Sequence, residues 1–259
     1  MSYNEFGGKP HPLKQRIRER IWKRLQDARV DRFPGAWGRI PNFVGAEKAA
    51  QLAAGLEVFR SAKVIKANPD TPQKPLRKMA LEAGKIVYMA VPRLRSLKCF
   101  VMLDPSSIPK HAISKAATIK GAFRYGKPVA PWEMEPVDLV VAGSVAVNRK
   151  GQRIGKGGGY SDLEFAIARH YGLIGDETPI LTTVHPLQIL DEEFPWKPHD
   201  IPVDYIVTPD EVIKTEGVYP KPRSILWDEL TREQLDRIPI LVHILSQLEK
   251  SQEGKTKHL

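Results

Sequence analysis

One cysteine, Cys99, stands among 259 residues, so the chain can form no internal disulfide. Such usage fits a reducing compartment, and the cytoplasm is the expected location. No run of roughly eighteen apolar residues occurs, which argues against a membrane-spanning helix, and the first residues hold no signal-peptide apolar core. Zinc-type spacings such as CxxC and HExxH are missing. No Ser-His-Asp or Cys-His constellation is written in the chain either. Carboxylates are the scarcer charge: 30 Asp and Glu face 40 Lys and Arg, for a formal charge of +10. A basic balance favours anionic partners without choosing between nucleic acid and a small phosphorylated ligand.

What is present is enough for a sizeable core, with 42% hydrophobic residues. The expectation is a single α/β domain over residues 1–250, followed by a flexible tail at 251–259. Residues 12–30 have the apolar spacing of an amphipathic helix through Leu13, Ile17, Ile21 and Leu25. Residues 1–32 carry nine Lys or Arg against four Asp or Glu. Their basic face is either solvated or in contact with an anion. Nucleic-acid binding has little support, because no zinc finger, RNP-like aromatic pattern or GXXG clamp accompanies it.

Further along, a second helix is expected from Ala46 to Leu56, and another opens at Thr71-Pro72 and stops at Gly84. Strands are expected at 62–66, 85–90, 98–103, 138–144, 179–184 and 203–208. Such alternation predicts a mostly parallel sheet covered on both faces. A helix is expected at 163–170, and a last one over 235–248 bends near Pro239. The stretch 104–136 gives no clear element.

Residues 151–162 read GQRIGKGGGYSD, with four glycines at positions 155–159 around one lysine. Lacking Cβ atoms, such a run turns sharply and brings main-chain N–H groups against a ligand. The helix that follows adds donors and a dipole favourable to anions, and Lys156 adds mobile positive charge. Asp162 caps that helix or contacts a phosphate-bound magnesium ion, and Tyr160 is placed to stack on a flat ligand. The alternative is a plain flexible turn. GxxxxGK[ST] is unmatched, so this is no Walker A loop. His199 and Asp200 lie between two prolines ahead of the last strand, as a structural turn or as the wall of a pocket.

Three segments together resemble the 5-formyltetrahydrofolate cyclo-ligase (methenyltetrahydrofolate synthetase) family. They are Lys14-x-x-Ile17-Arg18, the strand and glycine loop of residues 138–162, and the stretch from Gln188 to Thr208 with its His199-Asp200 pair. The resemblance implies an α/β fold with a mostly parallel central sheet flanked by helices, related to the sugar-isomerase and CoA-transferase architecture. It implies ATP and Mg2+ as cofactors, a folate substrate, and conversion of 5-formyltetrahydrofolate to 5,10-methenyltetrahydrofolate with release of ADP and phosphate. No membrane partner is expected, and the oligomer is a monomer or a homodimer. By the same resemblance, Lys14 and Arg18 hold nucleotide phosphates. Arg153, Lys156 and the backbone of Gly155, Gly157, Gly158 and Gly159 surround the transferring group. Tyr160 flanks nucleotide or folate, and Asp162 orients magnesium. The departures lie on the folate side. Asn68 stands where the family has glutamate, and Ser161 and Leu163 replace a tyrosine and an arginine. Phe123, Tyr125 and Trp132 are candidates for an aromatic usually found ahead of the loop. The alternatives are therefore an ATP-using enzyme of this fold on another substrate, or a non-catalytic nucleotide- or RNA-binding protein.

Overall fold

A computed structural model describes residues 11–256, with side chains through Lys250. Among the described residues, ten strands form: β1 Val64–Ala67, β2 Ile86–Ala90, β3 Phe100–Leu103, β4 Lys127–Val129, β5 Leu139–Val141, β6 Ala146–Val147, β7 Arg153–Ile154, β8 Ile180–Thr183, β9 Tyr205–Val207 and β10 Val212–Lys214. The α-helices are α1 Pro12–Asp27, α2 Ala46–Gly55, α3 Glu57–Arg60, α4 Lys74–Glu82, α5 Ile113–Ala116, α6 Ile119–Tyr125, α7 Tyr160–His170, α8 Arg232–Arg237 and α9 Pro239–Thr256. The expected tail thus begins inside α9, and residues 257–259 lie outside the described residues.

Eight strands make one sheet in the order β10-β9-β8-β5-β1-β2-β3-β4. The five from β9 to β2 run parallel. The outer strands β10, β3 and β4 pair antiparallel. The third expected strand is therefore present but reversed, since only a short loop separates it from β2 and a parallel return needs a long crossover. Both faces of the parallel strands are covered, which is why they read as short unbroken apolar runs. One face packs Tyr88, Phe100 and Val140 against Phe165 of α7 and Leu241 and Ile244 of α9. The other packs Ile65, Leu139 and Val207 against Ala50 and Ala53 of α2 and Leu76 and Ala80 of α4. The final helix is divided rather than bent: α8 ends at Arg237 and α9 starts at Pro239, whose ring suits a first helical position.

A separate hairpin, β6 with β7, carries the glycine loop out of the main sheet. The apolar stripe of α1 lies against it, with Ile17, Ile21, Trp22 and Leu25 packing on Val145, Ala146, Ile154 and Phe194. Each fully buried side chain of this kind contributes about 1.5–3 kcal/mol, so α1 is fastened to the hairpin through hydrophobic contact. Among the described residues, no helix is long and apolar enough to cross a membrane.

Cys99 is fully buried just before β3, and burial pushes its thiol up to about 12. At pH 8 only about one molecule in ten thousand then carries the thiolate. A thiol reagent added to the native protein is expected to leave Cys99 unmodified over minutes and to label one equivalent after denaturation. Rapid native labelling would contradict this placement.

Candidate active site at the glycine loop

The parallel strands β1, β5 and β8 end on one edge of the sheet, the edge where open α/β sheets bind ligands. β1 leads into Asn68-Pro69-Asp70, β5 into Gly143-Ser144, and β8 into Val184-His185. The loop of residues 155–159 comes off β7 and enters α7 at this edge. Gly157 has φ +108° and Gly159 φ +67°, left-handed values that side chains other than glycine seldom adopt. Gly159 is the residue that opens the helix, and space beside it is empty within 4 Å. The helix therefore begins at Tyr160, three residues earlier than the sequence predicts. Asp162 consequently lies in its first turn and does not cap it.

The cations reach the loop from two sides. Lys14 and Arg18, one helical turn apart on α1, are both buried. Arg18 donates from Nε to the Gly155 carbonyl at 2.7 Å, and its guanidinium lies 3.4 Å from the point where a Cβ on Gly157 would stand. The Arg18 pKa is lowered to about 10, chiefly by burial and also by Arg153, against the opposing charges of Asp162 and Asp200. Arg153 on β7 donates to the Gly143 carbonyl and to Asp162 Oδ1, both at 2.7 Å. Its Nε is buried with no partner. Asp162 Oδ1 also accepts from the Ile201 N–H at 3.2 Å. Lys156 stands at the mouth, 52% exposed, with Nζ 3.6 Å from Asp70 Oδ1. Four cations, Lys14, Arg18, Arg153 and Lys156, thus meet three carboxylates, Asp200, Asp162 and Asp70.

The Gln188–Thr208 segment closes one side. Asp200 accepts from Lys14 Nζ at 2.5 Å and from the Lys197 N–H at 2.7 Å. His199 lies between Asp200 and Glu229 at 3.9 and 3.7 Å and is about a third exposed. Asp204 braces the opposite end of the sheet, accepting from the Ile180 N–H. Tyr160 is half-buried and packs on the α7 core cluster, with its ring against Gly158. Trp132 is drawn elsewhere, to Tyr171 and His243 of α9 at 5.8 and 4.8 Å.

Several site residues lack a motif in the sequence. Lys66, fully buried in β1, donates to Glu164 Oε2 of α7 at 2.6 Å. Asn68 donates to the same oxygen at 3.1 Å and accepts from the Gly143 N–H and from Ser161 Oγ, both at 3.1 Å. One amide thereby ties together β1, the turn after β5 and the first turn of α7. Ser144 Oγ and Thr182 Oγ1 are joined at 2.8 Å beneath this edge. The one signal available was a lysine inside an apolar strand. A depression of about 490 Å³ lined by Asp138, Asp204 and Lys221 lies away from this edge, and its carboxylates cap strand N–H groups.

The Lys14–Asp200 pair has structural weight whatever else Lys14 does. Lys14→Met strands a buried carboxylate, and an expected loss of about 3 kcal/mol in stability is measurable by urea denaturation. A loss under about 1 kcal/mol, the range of exposed pairs, would contradict that weight.

Known proteins share this arrangement of sequence. A methenyltetrahydrofolate synthase domain-containing protein of Bos taurus is 42% identical over 240 residues, covering 92% of this chain and 63% of that protein. The Mus musculus protein of the same description is 43% identical over 230 residues, covering 88% and 62%. The chain thus spans about three-fifths of the length of these relatives. In fold it is similar to the solution structure of Aquifex aeolicus 5,10-methenyltetrahydrofolate synthetase, with a TM-score of 0.50 at 20% identity, over 80% of this chain and 95% of that one. The sequence model of the 5-formyltetrahydrofolate cyclo-ligase family matches residues 10–209. With its parallel sheet, its glycine loop and this match over most of its length, the chain belongs to the 5-formyltetrahydrofolate cyclo-ligase family.

Proposed function

We propose that the protein uses ATP and Mg2+ to cyclise 5-formyltetrahydrofolate to 5,10-methenyltetrahydrofolate, releasing ADP and phosphate, in the cytoplasm. The observation that carries this is the loop at 155–159: left-handed glycines, open space at Gly159, and a buried guanidinium under Gly157. A loop of main-chain N–H groups at a helix start is suited to phosphate. Phosphoryl transfer asks for position and positive charge more than for a nucleophile, which fits a chain without a catalytic triad.

The residues present fit an anionic nucleotide. One cation stands in excess at the loop, and the unpartnered Nε of Arg153 is a further donor nearby. They fit a resident magnesium ion less well. Among the described residues no three His, Cys, Asp or Glu side chains gather to hold a metal. Asp162 spends one oxygen on Arg153 and on the Ile201 N–H. Magnesium in this scheme comes with the phosphates and keeps most of its water, as it does in nucleotide sites generally. ATP, when bound, supplies the phosphoryl group that activates the formyl oxygen.

The chain's own tasks follow from geometry. Arg18 holds the Gly155 carbonyl so that the amides after it face the phosphates. Arg153 fixes the turn after β5 through the Gly143 carbonyl. Lys156, on a flexible stem, turns from Asp70 to the transferring group. Tyr160 walls the cleft.

A second substrate for the same chemistry has one observation in its favour. Asn68 replaces the family glutamate, and its amide is already engaged by Gly143, Ser161 and Glu164. Calorimetry with ATP and with folate separates the two cases, since an altered substrate predicts nucleotide binding without folate binding.

Purified protein with Mg-ATP and 5-formyltetrahydrofolate is expected to generate the near-ultraviolet absorbance of the methenyl product. Folded protein giving neither product nor phosphate would refute the activity. Lys156→Ala is expected to lower turnover about 100-fold while moving stability by less than about 0.5 kcal/mol. Equal turnover per folded molecule would remove Lys156 from the reaction.

A further inference from the structure

Asp70 is the carboxylate at the mouth of the site, and its charge opposes the lowering that burial imposes on Arg77, yet among the described residues no hydrogen bond engages its carboxylate oxygens. It follows β1 by three residues and precedes the turn Thr71–Gln73. Arg77 fixes its backbone, donating to the carbonyls of Asn68, Pro69 and Asp70 at 2.5, 3.2 and 3.0 Å and to that of Ala117. The carboxylate itself has no such anchor. Oδ1 stands 3.6 Å from Lys156 Nζ, and Oδ2 stands 2.9 Å from the point where a Cβ on Gly143 would lie.

Gln73 points to the same place. It is fully buried, and its Oε1 is 3.2 Å from that same point above Gly143. This oxygen has no hydrogen-bond partner, and its amide nitrogen makes one long bond, 3.4 Å, to Thr183 Oγ1. Buried carbonyl oxygens are almost always satisfied, so this oxygen and the carboxylate beside it together form an acceptor pair that a ligand's donors can satisfy. Two acceptors therefore converge over a glycine whose missing side chain leaves them room. The neighbouring loop at 157–159 offers the reverse, main-chain donors. A phosphate is repelled by Asp70 and drawn to the loop, so the two subsites sort ligand groups by polarity.

Resting on the nucleotide assignment above, we propose that Asp70, backed by the Gln73 carbonyl, is a specificity-determining residue for the second substrate. It accepts hydrogen bonds from a donor edge made of an amino group beside a ring N–H, as on the pyrimidinone ring of a reduced pterin. Once Lys156 has turned away, a carboxylate whose oxygens carry no hydrogen bond matches that edge in bidentate fashion. Lys156 covers Asp70 when the nucleotide is absent and uncovers it on turning to a phosphate. Nucleotide and second substrate are consequently coupled, each tightening the other by the same factor.

The test is a set of calorimetric titrations of the whole chain with two probes, 5-formyltetrahydrofolate and its analogue with methyl in place of the 2-amino group. Each is run with and without a non-hydrolysable ATP analogue and magnesium. The wild type is expected to prefer the amino form by about 10- to 100-fold, more strongly with nucleotide present. Asp70→Asn is expected to reduce that preference to about 3-fold or less, with nucleotide affinity unchanged or raised. Gln73→Met, close in shape, is expected to lose part of the same preference. An undiminished preference in Asp70→Asn overturns the proposal. So does a magnesium-dependent loss of nucleotide affinity with folate preference intact, because Asp70 would then serve the phosphate-bound metal. Failure of the wild type to bind either folate also overturns it, while nucleotide binding in the same experiment keeps the loop assignment standing. Failure of the wild type to bind nucleotide strikes the loop assignment instead.

Discussion

Positive charge packed around one glycine loop is the constraint on which the other features depend. Four cations converge there, three of them on buried side chains, and like charges so placed repel unless carboxylates or carbonyl oxygens offset them. The chain offsets them one by one. Lys14 takes Asp200, Arg153 takes Asp162, and Arg18 takes the Gly155 carbonyl. Lys156 faces Asp70 at the exposed end, so four cations meet three carboxylates and one positive charge is left over at a loop of main-chain donors. A protein that only needed a turn between β7 and α7 would have no use for that concentration of charge. The depressed Arg18 pKa, caused first by burial, is the physical sign of how far this charge has been withdrawn from water.

The fold serves this loop in two ways. The parallel strands deliver Asn68, Gly143 and His185 to one edge, and α1 docks on the β6–β7 hairpin through Ile17, Ile21, Trp22 and Leu25. The two cations of α1 are thus positioned by hydrophobic packing and need no flexible reach. Beneath the loop, the Lys66–Glu164–Asn68 network fixes α7 against the sheet. Through it one carboxylate of α7 is bonded to two side chains at the end of β1.

Much of this was legible in the sequence. Apolar runs of four to five residues gave the central strands, and the 3.6-residue spacing gave α1 and α2. The glycine run marked the loop, because few other uses call for that composition. What escaped has physical reasons. β6 and β7 are two residues each, too short for any period to register. Lys127-Pro128-Val129 is an edge strand whose lysine and proline read as a loop. The start of α7 was misplaced because a left-handed glycine, not a Ser, Thr or Asp, precedes it. The reversed pairing of β3 follows from loop length and could not come from its apolar run. Asn68, Asp70, Gln73 and Glu164 are distant in sequence, or sit in an ordinary-looking turn. Their association depends on how β1 and α7 meet, and pattern alone does not reach that.

Where a triphosphate sits tests the central claim most directly. In a crystal structure of the chain with a non-hydrolysable ATP analogue and magnesium, the phosphates are expected over residues 155–160. They should lie within hydrogen-bond distance of the Gly157–Gly159 amides, with the Lys156 ammonium turned from Asp70 toward them. Phosphates bound at another surface, or a glycine loop left empty at saturating nucleotide, would contradict the account.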